Sequence, residues 1–214
     1  MGRIDYSLYL VTDRALARGR PLADVVRAAV AGGVTCVQLR EKEISAREFA
    51  AAARELLALL RPLGVPLIVN DRIDVALAAG ADGVHVGQQD LSVADARRLG
   101  PPGWIVGVSA ESAADAAQAE RDGADYVGAS PVFATPTKTD HAPPLGLDGL
   151  RALRAATKLP LVAIGGLHVG NARETIRAGA DGLAVVSAIV AADDPRAAAA
   201  ELRREIAAAK GAET

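Results

Sequence analysis

A glutamine and two cations alternate along one short segment, at Gln38, Arg40 and Lys42. The residues before them, Val34 to Val37, form an apolar run with β-branched members, which predicts a buried strand. Because strand side chains alternate between two faces, the glutamine and both cations point to one side. Two cations are costly to bury without an anion, and guanidinium and ammonium groups are common phosphate ligands. The pattern favours an anion-binding strand end, for phosphate or diphosphate. The alternative is a surface strand end whose charges are solvated.

Two aspartates, Asp71 and Asp90, each follow one of two successive predicted strands. The carboxyl ends of parallel strands meet at one end of a barrel, so these carboxylates can converge. Magnesium is often held by one or two carboxylates together with phosphate groups of a substrate. The alternative is that Asp71 caps one helix and that Asp90 or Ser92 caps the next. Both interpretations remain open from these residues alone.

Small residues follow the last two predicted strands, Gly165-Gly166 after one and Val186-Ser187 after the other. The corresponding loops of parallel α/β barrels often bind a phosphate group through backbone N–H groups. Many barrels with different chemistry share this feature. It favours a second phosphate subsite without identifying the ligand.

The histidines give no sign of a metal centre. His85 stands between two valines inside a predicted strand, which favours a hydrogen-bonded core histidine over a catalytic base. His141 lies in a predicted loop and His168 begins a predicted helix, and no ligand spacing connects the three. Zinc is therefore not expected.

Short apolar runs alternate with alanine-rich helical stretches along the whole chain, and this order predicts a parallel sheet with helices between its strands. Examples of the helical stretches are Ala46–Leu60, Leu147–Ala155 and a final amphipathic helix from Pro195 to Lys210. Eight such units in 214 residues predict a single (β/α)8 barrel, a TIM barrel, that occupies residues 1–214 as one domain. An open, doubly wound sheet is the alternative. The candidate strands are Leu8–Val11, Val34–Leu39, Pro66–Val69, Gly83–Val86, Trp104–Val108, Tyr126–Gly128, Leu161–Ile164 and Gly182–Val186.

A Gly-Ala-Asp sequence recurs before three of these strands, with its aspartate at Asp82, Asp125 and Asp181. The aspartates precede their strands, so in a barrel they lie at the end that provides stability and away from the catalytic end. We expect their roles to be structural.

Composition excludes several classes of function. The formal net charge is −2, and only 3% of the residues are aromatic, so neither nucleic acid nor a membrane surface is an expected partner. The single cysteine, Cys36, lies in an apolar strand and is expected to be a buried thiol, which fits a reducing cytoplasm. No secretion signal is evident, because Asp5 and Asp13 interrupt the first apolar stretch. Small-molecule partners are expected, and the oligomeric state is left open.

The segment from Thr135 to Pro144 is rich in proline and threonine and follows the sixth predicted strand. Long loops on compact domains are often active-site lids. We expect this one to be mobile and to bring Lys138 over a bound anion. The alternative is a static surface loop with a solvated lysine.

Taken in order, the motifs of the chain resemble those of the thiamine-phosphate synthase (thiamine-phosphate pyrophosphorylase) family over nearly the whole length. Most of the motifs are weak singly, and their order makes the resemblance specific. They are Leu8–Arg14 (LYLVTDR), Val37–Lys42 (VQLREK), Ile68–Asp74 (IVNDRID), Gly83–Leu91 (GVHVGQQDL), Gly107–Ser109 (GVS), Gly123–Pro131 (GADYVGASP), Thr135–Lys138 (TPTK), Val162–Gly166 (VAIGG) and Gly179–Ser187 (GADGLAVVS).

The resemblance implies an enzyme that joins an aminopyrimidinylmethyl diphosphate to a thiazole phosphate, carboxylated or not, and releases diphosphate. It implies catalytic roles for Arg40, Lys42, Ser109 and Lys138, and Mg²⁺ ligation by Asp71 and Asp90. The implied contacts to the pyrimidine diphosphate are Gln38, Leu39, Arg40, Glu41, Lys42, Asn70, Ser109 and Lys138. The implied contacts to the thiazole phosphate are Thr135, Pro136, Thr137, Gly166, Val186 and Ser187.

The family is thought to react through a pyrimidinylmethyl cation. Such a step needs charge stabilisation on the leaving diphosphate more than a strong base, which fits the lack of a catalytic triad. A related thiazole tautomerase and a non-catalytic phosphate-binding barrel are the alternatives. The joint presence of Arg40, Lys42, Asp71, Asp90 and Lys138 favours the synthase.

Overall fold

The computed structural model describes residues 4–135 and 143–211. Within these ranges, eight parallel strands pair in sequence order and close into a barrel, with β8 next to β1. This confirms the predicted (β/α)8 architecture, and the open-sheet alternative is wrong. The strands are β1 (Leu8–Val11), β2 (Cys36–Leu39), β3 (Leu67–Asn70), β4 (Gly83–Val86), β5 (Ile105–Ala110), β6 (Tyr126–Ala129), β7 (Leu161–Ile164) and β8 (Gly182–Val185).

Helices follow the strands and form the outer layer. They are α1 (Leu22–Ala31), α2 (Ala46–Leu60), α3 (Ile73–Ala79), α4 (Val93–Leu99), α5 (Ala113–Arg121), α6 (Gly146–Ala156), α7 (Val169–Arg177), α8 (Ser187–Val190) and α9 (Pro195–Ala209), with a 3₁₀ turn at Arg61–Leu63. The predicted bounds differ from these by at most two residues. Strand β2 begins later than predicted because the Val34 amide still donates to the Ala29 carbonyl at the end of α1. Across the described ranges, no helix is long and apolar enough to cross a membrane.

Helix α2 shows how local sequence sets an element and its orientation. Ser45 and Glu48 form a capping box, in which the Ser45 hydroxyl accepts from the Glu48 amide and the Glu48 carboxylate accepts from the Ser45 amide. Phe49, Ala53 and Leu60 lie on one face of the helix and are buried. The helix therefore begins at a defined residue and presents one apolar face to the barrel.

Alternation along the strands separates two apolar layers. Leu8 and Leu10 point outward into the core between strands and helices, whereas Tyr9 and Val11 point into the barrel. The interior is filled by a small cluster that includes Tyr6 and the other inward residues of the strands. Because this cluster fills the interior of the barrel, the cavity that the inward residues of the strands line opens towards the carboxyl ends of the strands.

The three repeated aspartates lie at the amino ends of the strands, as predicted, and each binds the backbone of a neighbouring strand. Asp82 Oδ2 accepts from the Leu67 amide at 2.8 Å, and Asp181 Oδ2 accepts from the Leu161 amide at 2.8 Å. Asp125 Oδ2 accepts from the Val106 amide at 2.7 Å and from Arg97 Nη2 at 2.6 Å. These contacts fasten β3, β5 and β7 to the strands that follow them, which confirms the structural interpretation.

We expect Asp125→Ala to lower the free energy of unfolding by about 1–3 kcal/mol, because it leaves the Val106 amide and the Arg97 guanidinium without their acceptor. Turnover per folded molecule should be unchanged. Urea unfolding measures the free energy of unfolding, and an activity assay normalised to the folded fraction measures turnover. Asp148→Ala is the matched control, since its carboxylate is 97% exposed and pairs with Arg151 on the same helix. An equal loss of stability in both variants would contradict the assignment.

Candidate active site

A cavity of about 390 Å³ opens at the carboxyl ends of the strands. Most of the site residues that the sequence predicts line this one cavity. They are Gln38, Arg40, Lys42, Asn70, Asp71, Asp90, Ser109, Thr135, Gly166, Val186 and Ser187. The convergence that strand order implied is therefore present, although the residues come from seven different strands and the loops that follow them.

The end of β2 is built as the period-2 pattern predicts. Gln38 is buried inside the barrel, with 6% of its surface exposed, while Arg40 and Lys42 lie higher in the wall of the cavity. Lys42 Nζ donates to Asp71 Oδ2 at 2.7 Å, and the Arg40 guanidinium lies 3.9 Å from Asp13. Each cation thus has a carboxylate nearby and an open side towards the cavity. Both cations line the cavity, which favours the anion-binding strand end, although the Lys42 side chain is 53% exposed; anion binding here stays a prediction.

Leu39 and Glu41 alternate with these residues, and their side chains are directed elsewhere. Leu39 is fully buried in the outer core between strands and helices. The Glu41 carboxylate receives two hydrogen bonds from the guanidinium of Arg14, at 2.6 and 3.1 Å, and neither residue belongs to the cavity lining. A contact of Leu39 or Glu41 with a ligand therefore has to come from the backbone, and their predicted role stays a prediction.

The helix-cap interpretation of Asp71 and Asp90 is wrong. Helix α3 has Arg72 at its N-cap position without a side-chain cap, and the cap of α4 is Ser92, whose hydroxyl accepts from the Asp95 amide at 3.1 Å. Asp90 instead accepts from the Gly87 amide at 2.7 Å, within its own loop. Asp71 has a φ of 61°, a left-handed conformation that few residues other than glycine and aspartate or asparagine adopt readily.

The two carboxylates face one another. The pKa of Asp90 is raised, first by partial burial and also by the neighbouring charge of Asp71 and a hydrogen bond with it, while the Gly87 amide and Lys42 oppose the rise. Repulsion between two anions is relieved by a cation between them, and hard carboxylate oxygens suit Mg²⁺. No cluster of three or more potential protein ligands occurs in residues 4–135 and 143–211. A magnesium ion here therefore needs ligand phosphate or water to complete its shell, which is its usual preference.

The opposite side of the cavity contains Gly165, Gly166 and Ser187. A Cβ added to Gly166 would lie 2.6 Å from the Ala134 carbonyl oxygen and 2.8 Å from Phe133 Cβ. The glycine is thus required by the packing of the chain after β6, which the sequence did not indicate. Gly166→Ala would displace this segment and cannot test phosphate binding alone. Ser187, the first residue of α8, lines the cavity and offers a cleaner test.

The floor of the cavity contains two residues that sequence reasoning missed, Tyr9 and Tyr126. The Tyr126 hydroxyl lies 2.8 Å from that of Tyr9 and 2.9 Å from His85 Nδ1, and His85 Nε2 lies 3.0 Å from Ser109 Oγ. His85 is 9% exposed, so the expectation of a hydrogen-bonded core histidine is confirmed, and the residue also borders the cavity. Period-2 alternation could have indicated both tyrosines, because it places Tyr9 of β1 and Tyr126 of β6 on the side of each strand that faces the barrel interior.

The remaining predictions fall on the segment after β6. Thr135 lines the cavity, whereas Pro136, Thr137 and Lys138 lie outside the described residues, as does most of the predicted lid from Thr135 to Pro144.

Comparison with known proteins shows one family. Residues 8–189 match the family model described as thiamine monophosphate synthase. The chain is 63% identical to a thiamine-phosphate synthase of Albidiferax ferrireducens over 93% of this chain and 91% of the relative. It is 58% identical to a thiamine-phosphate synthase of Chloroflexus aurantiacus, over 94% and 92% of the two chains. A solved thiamine phosphate pyrophosphorylase from Pyrococcus furiosus superimposes with a TM-score of 0.88 at 40% identity, covering 97% of this chain and 98% of that one.

We expect Asp90→Asn, measured without divalent cations, to leave the free energy of unfolding unchanged or to raise it at neutral pH. The raised pKa of Asp90 means that the folded state binds this proton more tightly than the unfolded chain does. Stability is therefore lost as the pH rises from the unfolded-state pKa of 3.8, and the asparagine variant avoids that loss. Urea unfolding at neutral pH and again near the unfolded-state pKa measures the difference, which should vanish at the lower pH.

Ser92→Ala serves as the comparison, since removal of a true helix cap costs about 1 kcal/mol. A similar cost for Asp90→Asn at neutral pH would restore the cap interpretation.

Proposed function

The chain belongs to the thiamine monophosphate synthase family, and we propose that its cavity joins an aminopyrimidinylmethyl diphosphate to a thiazole phosphate, releasing diphosphate. The activity is that of a thiamine-phosphate synthase. Both curated relatives described above carry that name, which decides against the tautomerase and the non-catalytic barrel. The observation that carries the proposal at residue level is that two groups of candidate anion ligands line one cavity. Arg40, Lys42 and the two aspartates form one region, and Gly166 with Ser187 forms the other.

The first region suits a diphosphate. Arg40 and Lys42 supply positive charge from the end of β2, and Asn70 adds an amide donor from the end of β3. Lys138, which lies outside the described residues, is proposed from the family resemblance to complete this set. In the ligand-free arrangement Lys42 is paired with Asp71, so a cation that engages Asp71 would release the ammonium group towards the diphosphate.

The donor set of Asp71 and Asp90 fits Mg²⁺, and both carboxylates would hold the ion beside the diphosphate. When bound, the ion would supply charge stabilisation to the departing diphosphate. The mutual repulsion of the two carboxylates, expressed in the raised pKa of Asp90, supports this assignment.

The second region suits the phosphate of the thiazole. Ser187 offers a hydroxyl at the start of α8, and Val186 and Gly166 offer backbone groups next to it. Thr135 lines the cavity near this side, and Pro136 and Thr137 are proposed from the resemblance as further contacts. The two regions hold the substrates in one cavity, which brings the reacting atoms together.

The reaction that we propose for this arrangement breaks the C–O bond between the pyrimidinylmethyl carbon and diphosphate. The bonding electron pair leaves with the diphosphate, where Arg40 and Lys42 stabilise the growing negative charge. The lone pair of the thiazole nitrogen then forms the C–N bond. This chemistry requires no side-chain base, which is consistent with a cavity whose histidine is held in hydrogen bonds.

The direct test is product formation from the two substrates with Mg²⁺, followed by diphosphate release. We expect the rate to be abolished by a chelator and restored by added Mg²⁺. Release without the thiazole phosphate, or an undiminished rate with chelator, would contradict the proposal.

We expect Asp71→Asn and Asp90→Asn to raise the Mg²⁺ concentration for half-maximal rate by about tenfold or more, since even partners of metal ligands contribute that much to metal affinity. The rate should approach the wild-type value at high Mg²⁺ more closely for Asp90→Asn, because Asp71 also binds Lys42. Asp74→Asn is the matched control. Its carboxylate pairs with Arg72, is 65% exposed and does not line the cavity. An equal rise in the required Mg²⁺ concentration for Asp74→Asn would contradict the assignment of Asp71 and Asp90 as Mg²⁺ ligands.

We expect Ser187→Ala to raise the KM for the thiazole phosphate about tenfold, through loss of a hydrogen bond to a charged group, and to leave the KM for the pyrimidine diphosphate nearly unchanged. Ser109→Ala makes the same chemical change on the other side of the cavity and should give the converse pattern. Steady-state kinetics with each substrate varied in turn measures both. If the two variants affect both substrates alike, the division of the cavity into two regions is wrong.

A further inference from the structure

Five buried or half-buried polar side chains form a continuous chain of hydrogen bonds across the floor of the cavity. Gln38 Nε2 lies 3.0 Å from the Tyr9 hydroxyl, which lies 2.8 Å from the Tyr126 hydroxyl. From Tyr126 the chain continues to His85 Nδ1 at 2.9 Å and from His85 Nε2 to Ser109 Oγ at 3.0 Å. The chain thus connects β2 with β5 through the barrel interior, and its two ends are residues that face the ligand space.

The orientation of the Gln38 amide fixes the direction of every hydrogen bond in this chain. Distances at the two phenols and at the imidazole permit either partner to donate, but the Gln38 amide nitrogen can only donate. Tyr9 accepts from Gln38, and its one hydrogen goes to the Tyr126 oxygen, which is a stronger acceptor than the Cys36 sulfur that Tyr9 also contacts. Tyr126 in turn gives its hydrogen to His85 Nδ1. A neutral imidazole that accepts at Nδ1 carries its hydrogen on Nε2, so His85 donates to Ser109 Oγ.

We propose that Tyr9, Tyr126 and His85 are positioning residues that polarise the two ends of this chain, so that Gln38 presents a hydrogen-bond acceptor to the ligand and Ser109 presents a donor. The Gln38 amide has its nitrogen engaged by Tyr9, which leaves the oxygen Oε1 for the cavity. The Ser109 oxygen accepts from His85, which leaves its hydroxyl hydrogen for the cavity. No proton is transferred in this arrangement.

The surroundings of the chain maintain the direction. Burial raises the pKa of Tyr9 and of Tyr126 well above the ordinary range, so both phenols keep their hydrogens. Burial likewise raises the pKa of the Cys36 thiol, while a hydrogen bond from Tyr9 lowers it, and this sulfur competes only weakly with the Tyr126 oxygen for the Tyr9 hydrogen. An imidazolium at His85 would donate from both nitrogens and leave the Tyr126 hydrogen without an acceptor, so the chain requires a neutral His85.

Room for the chain comes from two glycines. A Cβ at Gly107 would lie 2.1 Å from Tyr126 Cζ, and one at Gly128 would lie 3.1 Å from His85 Cε1. The Tyr126 ring therefore occupies space that any side chain at position 107 would take, whereas a side chain at position 128 would make a tight contact with His85. The barrel is thus built around the two rings that connect the Gln38 end with the Ser109 end.

The ligand chemistry that matches these ends is an aromatic heterocycle with a hydrogen-bond donor at one edge and an acceptor at another. An aminopyrimidine offers this pattern through its amino group and its ring nitrogen. The corresponding oxopyrimidine replaces the amino donor with a carbonyl acceptor, which would face Gln38 Oε1 without a hydrogen between them. Sites that are built to hydrogen-bond one group reject such an analogue strongly. The inference rests on the proposed function and deepens it, because it names the residues that set the choice of heterocycle.

The first experiment measures the tautomer of His85 in the wild-type protein without substrate. Nitrogen-15 chemical shifts distinguish an imidazole with its hydrogen on Nε2 from one with its hydrogen on Nδ1, and the His85→Asn variant assigns the signal among the three histidines. We expect the Nε2–H tautomer in the wild type. The Nδ1–H tautomer or an imidazolium at neutral pH would overturn the proposal.

The second experiment compares the affinities for the aminopyrimidinylmethyl diphosphate and for its oxo analogue by calorimetry, in the absence of thiazole phosphate. We expect Tyr126→Phe to lower the preference for the amino compound over the oxo analogue about tenfold or more. The variant breaks the chain between Tyr9 and His85 and leaves His85 Nδ1 without its hydrogen bond from Tyr126. Tyr9→Phe interrupts only the Gln38 arm. It should lower the same affinity ratio and leave the His85 tautomer no longer set by Gln38.

Tyr6→Phe is the matched control. Its hydroxyl is buried and has no hydrogen-bond partner among the described residues, and its ring lies 4.7 Å from that of Tyr126. It removes the same atom from the same aromatic cluster, so the affinity ratio and the His85 tautomer should stay at the wild-type values. An unchanged ratio in Tyr126→Phe, or an equal change in Tyr6→Phe, would overturn the proposal.

The proposed function and the proposed hydrogen-bond direction can be contradicted separately. If wild-type protein forms no product from the two substrates, the proposed function is wrong, and the tautomer measurement still decides the hydrogen-bond direction. If product forms and His85 carries its hydrogen on Nδ1, the function stands and the polarised chain does not.

Discussion

Strand β1 pairs with β8 as well as with β2, and this pairing closes the ring of backbone hydrogen bonds. The helical crossovers between strands make all eight strands run in the same direction, and closure then arranges their carboxyl ends in a single rim. Residues as distant in sequence as Gln38 and Ser187 come to one cavity for that reason alone. The aspartates at the amino ends, such as Asp125, hold the ring from the opposite side by binding strand amides. One end of the barrel is thus free to carry charges that a packed core could not accept.

The charges at the rim are balanced before any ligand arrives. Lys42 is paired with Asp71, Arg40 lies near Asp13, and Asp90 is held by a backbone amide. None of these groups is left isolated in a low-dielectric environment, which limits the cost of assembling them. The same balance is consistent with the proposed binding of an anion and a divalent cation in one cavity. An anion bound at Lys42 would take the place of the Asp71 carboxylate, and a cation bound at Asp71 would take the place of the Lys42 ammonium group.

Sequence reasoning succeeded where a local rule decides the outcome. Period-2 alternation placed Gln38, Arg40 and Lys42 on one face, and strand order brought Asp71 near Asp90. It failed where the outcome depends on contacts between residues far apart in the chain. Tyr9 and Tyr126 meet across the barrel although they lie 117 positions apart in the sequence, and no local pattern predicts that contact. Gly166 was predicted correctly in position, but its reason, the packing of Phe133 and Ala134, lies in another loop.

The close approach of Gly107 to the Tyr126 ring also makes these two positions interdependent. Any side chain at position 107 needs the volume that the aromatic ring fills, so substitution there requires a smaller residue at 126 in the same molecule. The two sites therefore cannot be explored independently in a mutant library. A design that reshapes the cavity floor for a different heterocycle therefore has to change positions 107 and 126 together. The quantity to choose is the combined volume of the two side chains.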